Sequence, residues 1–454
     1  MLSTINAVQF FSNKFHNGIF VVVHRLYLII ILTCLHSIAD AQALLPADTA
    51  NEAYCAAVSK TYVADNKLFN ELLKEQAENK KISKYYTSSY ETIFEVLNDR
   101  IKKGHILYIP AICNTLEKIL QEIRSKNESV PADIKILLTR ETQPNAYTFG
   151  DNYIFVNLGL FYHMENEAQV ASVISHEIGH ILLRHALKSM VMSYESNKVY
   201  AADVKLLKST EIHAATRALE ILKNAAYNNG KVSRERELEA DSIGYLLYKN
   251  TGYPDYEYLA ALHIVEKYEN VKPDSLAMEA YKRFFDLPEQ KFNDSWLKQE
   301  DFSSYNYNTY KPALDKDSAS SHPKCAERIQ HLQTIYPQLK ENGKSIAATS
   351  TFTELKNLAR SRHLPNLFFN EDYGEYIYTL LVRLQADPDN KQYRDLLGKG
   401  FYKIYEARKA YLLNRYVERV KPHEQTKSYM QFLSFIWNLK IEEMEKIAEH
   451  YSKT

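Results

Sequence analysis

The segment SHEIGHILLRH, residues 175–185, sets two histidines four positions apart around a glutamate. On a helix with about 3.6 residues per turn, positions i and i+4 share a face. His176 and His180 can therefore converge on one ion. Glu177 is offset around the helix, within reach of a water on that ion without binding the ion itself. Ala168, Val170, Ala171, Val173 and Ile174 before the motif, and Ile178, Ile181, Leu182 and Leu183 within and after it, predict one buried helix. The chemistry such a group serves is hydrolysis by a water acidified on zinc, with the glutamate taking its proton. The competing reading is a core helix with two satisfied histidines.

A catalytic zinc takes three protein ligands and keeps one position open, so a third ligand must come from elsewhere. Leu183 stands where the metzincin extension of the motif needs glycine, which excludes that class. Glu195, further along, is expected to point away. The third candidate is the run SRERELEADSIG, from Ser233 to Gly244. Alone it suits a solvated charged helix face. Its spacing also puts Glu237, Asp241 and Gly244 along one stripe, flanked by apolar Leu238, Ile243 and Leu247. A carboxylate at Glu237 could ligate the ion, and Asp241, one turn on, could orient a ligand histidine from behind. Gly179 and Gly244 each cost a helix about 1 kcal/mol relative to alanine. A close approach of the two helices would account for both.

HEIGH followed by SR-x-x-E-L-E-A-D-x-x-G resembles the gluzincin family of HtpX, the CAAX prenyl endopeptidase and the BepA-type proteases. The resemblance implies one zinc per chain held by His176, His180 and Glu237, with Glu177 as general base and Asp241 supporting the ligands. Glu235 and Glu239 do not match the family's ligand position, and Leu238 stands where an aromatic is more usual. Upstream, residues 144–161 (PNAYTFGDNYIFVNLGLF) are similar to a second family segment. They suit a strand at Tyr153–Val156 after a hairpin turn at Gly150-Asp151. By resemblance Asn145, Ala146 and Tyr147 would bind substrate backbone by β-augmentation. Downstream, SSHPKCAERI (320–329) is similar to the family's His-Pro…Arg-Ile element, which makes His322 and Arg328 candidates to stabilise an oxyanion. Taken alone, His-Pro is a helix-entry loop and Arg328 a surface charge.

The elements that must position these residues fit a mainly α fold with a small β-sheet: an α+β, zincin-like protease domain followed by a C-terminal helical, tetratricopeptide-like domain. The 454 residues allow two or three domains. Lys+Arg and Asp+Glu balance at 56 each, so no global field favours nucleic acid. Residues 1–43 have a signal-peptide layout, with Arg25, an apolar run from Leu26 to Leu35, and small Ala39, Ala41 and Ala43. This predicts an exported, periplasmic or secreted protein with no membrane span in the mature chain. Cys55, Cys113 and Cys325 then remain, and Cys55–Cys113 is the candidate disulfide. Residues 44–130 form an N-terminal helical region, 131–345 the protease domain, and 346–454 the C-terminal helices. Within these, His213 suits the surface, and 292–321 is a long loop, either a lid or an inert insertion. Pro388 and Pro422 stand one tetratricopeptide period apart, with Leu397-Gly398, Phe401 and Ala410 at repeat positions and Asn414 departing from them.

The expected function is a zinc metalloendopeptidase acting on protein or peptide substrates among exported or envelope proteins, with partners docking on the C-terminal helices. The alternative is a chaperone or binding protein working through those helices, its zinc site structural or idle. Glu177 separates the two, because a structural site needs ligands and no base. Cleavage of prenylated peptides within a membrane is disfavoured by the lack of spanning segments.

Overall fold

The computed structural model describes residues 49–207, 214–270, 276–299, 324–339, 343–421 and 425–452. Three helices come first: α1 (Thr49–Glu75), α2 (Lys80–Lys102) and α3 (Pro110–Lys126). Asn79 caps α2 by accepting from the backbone N–H of Lys81 and Ile82, and Pro110 opens α3, where a missing N–H costs nothing. The sheet follows, with β1 (Lys135–Thr139), β2 (Ala146–Thr148) and β3 (Tyr153–Asn157) in the order β1-β3-β2. Central β3 pairs parallel with β1 and antiparallel with β2, through the hairpin expected at Gly150-Asp151. Gly150 (φ 83) and Asn152 (φ 60) supply its left-handed backbone.

Alternation along the strands gives the sheet two buried faces. Leu137, Tyr153 and Phe155 pack on α1 and α2, against Tyr62, Tyr90 and Phe94. Leu138, Ile154 and Val156 point the other way, into the largest core. Asp151, in the hairpin, accepts hydrogen bonds from the hydroxyls of Tyr62 and Tyr90 and so pins both helices to the sheet.

The remaining elements are helical: α4 (Leu158–His163), α5 (Glu167–Leu182), α6 (His185–Leu207), α7 (Ala214–Lys249), α8 (Tyr256–Asn270), α9 (Met278–Phe285), α10 (Cys325–Ile335), α11 (Ser350–Ser361), α12 (His363–Phe369), α13 (Tyr373–Ala386), α14 (Lys391–Lys409), α15 (Lys427–Asn438) and α16 (Ile441–Ser452). The mainly α character with one small sheet and a helical C-terminal region is as expected. No helix among the described residues is long and apolar enough to cross a membrane.

Several finer expectations are corrected. A boundary at 130 cuts through a single core, because α3 buries Ile112, Leu116, Ile119 and Ile123 in the same cluster as α5. A boundary at 345 does the same, since Phe352, Leu355 and Ala359 of α11 belong to that cluster too. Conversely, α9 and Trp296 lie in the core of the C-terminal helices. The described part of the 292–321 loop is thus packed around Trp296; residues 300–321 lie outside the described residues, as do 1–43, His213 and His322. The 34-residue spacing does not frame a helix pair: between Pro388 and position 421 lie one α-helix, α14, and a short 3-10 turn at Leu413–Arg415. Leu397, Phe401 and Ile404 are the buried face of α14, which packs against α13 and α16. Cys55, Cys113 and Cys325 form no disulfide. Cys55 and Cys113 instead donate to the adjacent carbonyls of Ile106 and Leu107, at 3.3 and 3.7 Å.

Candidate metal centre

The site is built where α5 crosses α7, and two glycines set the distance. A Cβ on Gly179 would stand 2.8 Å from the carbonyl oxygen of Ala240. One on Gly244 would stand 2.8 Å from His176 Cα and 2.6 Å from the Tyr258 hydroxyl. Only glycine permits so close a crossing, and it brings Glu237 of α7 opposite the two histidines of α5.

Nε2 of His176 and Nε2 of His180 are 3.0 Å apart. The Glu237 carboxylate oxygens lie 3.6 Å from the first and 3.5 Å from the second. Four donors at about 2.0–2.1 Å around a tetrahedral zinc would be roughly 3.3 Å from one another. Two imidazoles and one carboxylate at these separations fit that ion and leave a fourth position for water or substrate. Glu177 follows His176 on α5 and is 7% exposed.

Each histidine is held from behind. Asp241 Oδ1 lies 2.9 Å from His176 Nδ1. Arg328, arriving on α10, donates to both Asp241 oxygens, from Nε at 2.7 Å and Nη2 at 2.6 Å. Burial alone would push the Asp241 carboxyl up, but Arg328 and His176 outweigh it and hold it at about 2. Burial likewise opposes a charged His176, yet the Asp241 carboxylate raises its pKa to about 10. Burial and the neighbouring His176 lower His180 to about 3. On the far side, His180 Nδ1 lies 2.9 Å from His185 Nδ1, and His185 Nε2 lies 3.1 Å from Glu239 Oε2.

Residues 111–336 match Peptidase family M48. They form an M48 peptidase domain. The chain is similar to the beta-barrel assembly-enhancing protease of Escherichia coli (strain K12), 24% identical over 63% of this chain and 57% of that protein. It is also similar to the metalloprotease YcaL of the same organism, 30% identical over 30% of this chain and 52% of that one. A putative beta-barrel assembly-enhancing protease of Vibrio cholerae is 24% identical over 41% of this chain and 39% of its own length. The chain thus spans about half the length of the curated relatives it matches.

The M48 domain brings His176, His180, Glu237 and Asp241 together at the expected helix crossing. It carries Arg328 to the rear of His176, where its bonds to Asp241 occupy it, and not to the side of the histidines that faces Glu237. Asn145, Ala146 and Tyr147 lie at β2, an edge strand of the sheet that packs on α5. Sequence reasoning missed His185 and Glu239. The backbone bends at Arg184, in the left-handed region at φ 53, and α6 starts there with His185 against His180. A non-glycine residue at such an angle leaves no compositional signal.

The crossing itself is testable. Gly244→Ala would raise helix propensity by about 1 kcal/mol. The new methyl, however, meets the backbone of His176, which cannot yield as a flexible side chain would. Net destabilisation of roughly 1–3 kcal/mol is expected, the usual range for overpacking. It should appear in thermal unfolding together with weaker zinc binding. An unchanged melting temperature would mean the helices have room to spare.

Proposed function

We propose that this chain is a zinc-dependent metalloendopeptidase. The observation that carries the reading is the His176, His180 and Glu237 triad, with Glu177 adjoining it on the same helix. Zinc bound there would supply an acidified water and polarise a scissile carbonyl. Glu177 takes the proton from the water and returns it to the leaving amine. Asp241 accepts from His176 Nδ1, which turns the Nε2 lone pair toward the ion. The oxyanion role falls to His322, because Arg328 is occupied by Asp241.

The edge position of β2 supports peptide binding. Asn157 N–H donates to the Asn145 carbonyl at 3.0 Å, so Asn145 and Tyr147 turn their backbone groups toward β3. Thr148, alternating with them, turns its N–H and C=O to the other side, where an extended substrate can add as a further strand. Substrates are proposed to be exported or envelope proteins. The signal-like segment at 1–43 and the likeness to a beta-barrel assembly-enhancing protease support that placement. Exposed Tyr402, Tyr411 and Leu412 support a docking face on the C-terminal helices. A purely binding role is less favoured, since it needs no buried carboxylate beside the ligands.

The test is metal analysis and casein cleavage on purified protein. About one zinc per chain is expected, as for a single catalytic site. Glu237→Ala should lose most of that zinc and the cleavage with it. Parent protein without zinc would end this reading, and full zinc in Glu237→Ala would show that the third ligand is another residue.

A further inference from the structure

His176 rests directly on a carboxylate, but His180 does not. Its Nδ1 meets another imidazole, His185 Nδ1, at 2.9 Å, and that ring meets Glu239 Oε2 through Nε2 at 3.1 Å. To present a lone pair from Nε2 to a metal, His180 must carry its proton on Nδ1. Two nitrogens 2.9 Å apart can then share only one hydrogen, so His185 Nδ1 must accept it. That places the His185 proton on Nε2, directed at the Glu239 carboxylate. The series Glu239, His185, His180 therefore has one self-consistent arrangement of protons, and its last member aims at the site of the ion. His185 is 4% exposed and cannot readily exchange this partner for water.

We propose that His185, held by Glu239, is a positioning residue that fixes the tautomer and ring orientation of His180 for metal binding. The inference rests on the metal-centre reading above. It assigns a role to an imidazole that is not itself a ligand and to a carboxylate that does not match the ligand position. The two histidine ligands are thereby supported unequally, His176 by a buried carboxylate and arginine, and His180 by a neutral ring with a half-exposed carboxylate behind it.

The experiment measures zinc affinity of the full chain by competition with a chelating dye. His185→Phe keeps a ring but removes the acceptor, and zinc affinity should fall about 10–100-fold, the range for losing such a support. His185→Asn places an amide oxygen near the lost Nδ1 and should restore most of that affinity. Glu239→Ala changes only a surface carboxylate. It should weaken zinc binding in the parent and have no effect in the His185→Asn background, where the side chain is too short to reach it. Parent affinity in His185→Phe, an Asn variant as weak as the Phe variant, or an equal Glu239→Ala effect in both backgrounds would each overturn the proposal. If His185→Phe does not fold, the His185→Asn and Glu239→Ala pair decides the question. A parent that binds no zinc overturns the metal centre itself, whereas a zinc-binding parent with any of the other results overturns this inference alone.

Discussion

Glu177→Gln is expected to keep the zinc and the melting temperature of the parent while kcat falls about 10²–10⁴-fold, the usual contribution of a general base. Glutamine has nearly the same shape and polarity as the carboxylate it replaces, so packing around this 7% exposed side chain is preserved. The variant cannot take a proton at neutral pH. Glu177 also follows His176 on α5 without belonging to the ligand triad, so its loss leaves the three donors in place. The measurement is casein or peptide cleavage at matched zinc content. Cleavage at the parent rate, with contaminating protease excluded, would remove Glu177 from the mechanism.

Arg328→Ala is expected to destabilise the protein by about 3–5 kcal/mol, as removal of one partner from a buried ion pair does. Asp241 is fully buried, and Arg328 supplies two of its hydrogen bonds. Without the guanidinium, a carboxylate held at about 2 by that charge loses its main compensation. Because Asp241 also holds His176 Nδ1, weaker zinc binding should accompany the lower stability. An oxyanion role would produce a different pattern: lower kcat with melting temperature and zinc unchanged. Thermal unfolding with zinc titration separates the two, and the second pattern would return Arg328 to the reaction.

The candidate ligand cluster of His176, His180 and Glu237 was legible because its geometry is local or nearly so. An i, i+4 histidine pair needs only a helix, and Gly179 and Gly244 announced the crossing that brings in Glu237. Arg328 was legible as a residue near the site, but its contact with Asp241 was not. Which group it meets depends on how α10 packs across α7, a contact spanning 87 positions that no local pattern encodes. His185 was hidden for another reason. The apolar pattern runs on past His180, whereas the backbone bends at Arg184, and non-glycine residues in the left-handed region carry no signature. Val130-Pro131 marks where the first helices end and the sheet begins, but turn residues mark the ends of elements, and cores can continue across them. The tetratricopeptide spacing failed because Leu397, Phe401 and Ile404 keep helical period on any buried helix face.

One feature of the packing bears on how the chain is made. Segment 276–297 is covered by α13 to α16, although α8 before it and α10 after it belong to the M48 core. A nascent chain extended only to residue 345 would hold Tyr281, Phe284, Phe285 and Trp296 without their partners, and would lack the α11 side chains that complete the first core. Domain-by-domain folding during synthesis, the common route for long chains, would leave segment 276–297 uncovered until α13 to α16 are made. The first core waits only for α11, which ends at Ser361, whereas the second waits for sequence as far as Tyr451, and contacts of such long range form slowly. The helices of the candidate metal site can therefore be enclosed before the segment at 276–297 finds its cover.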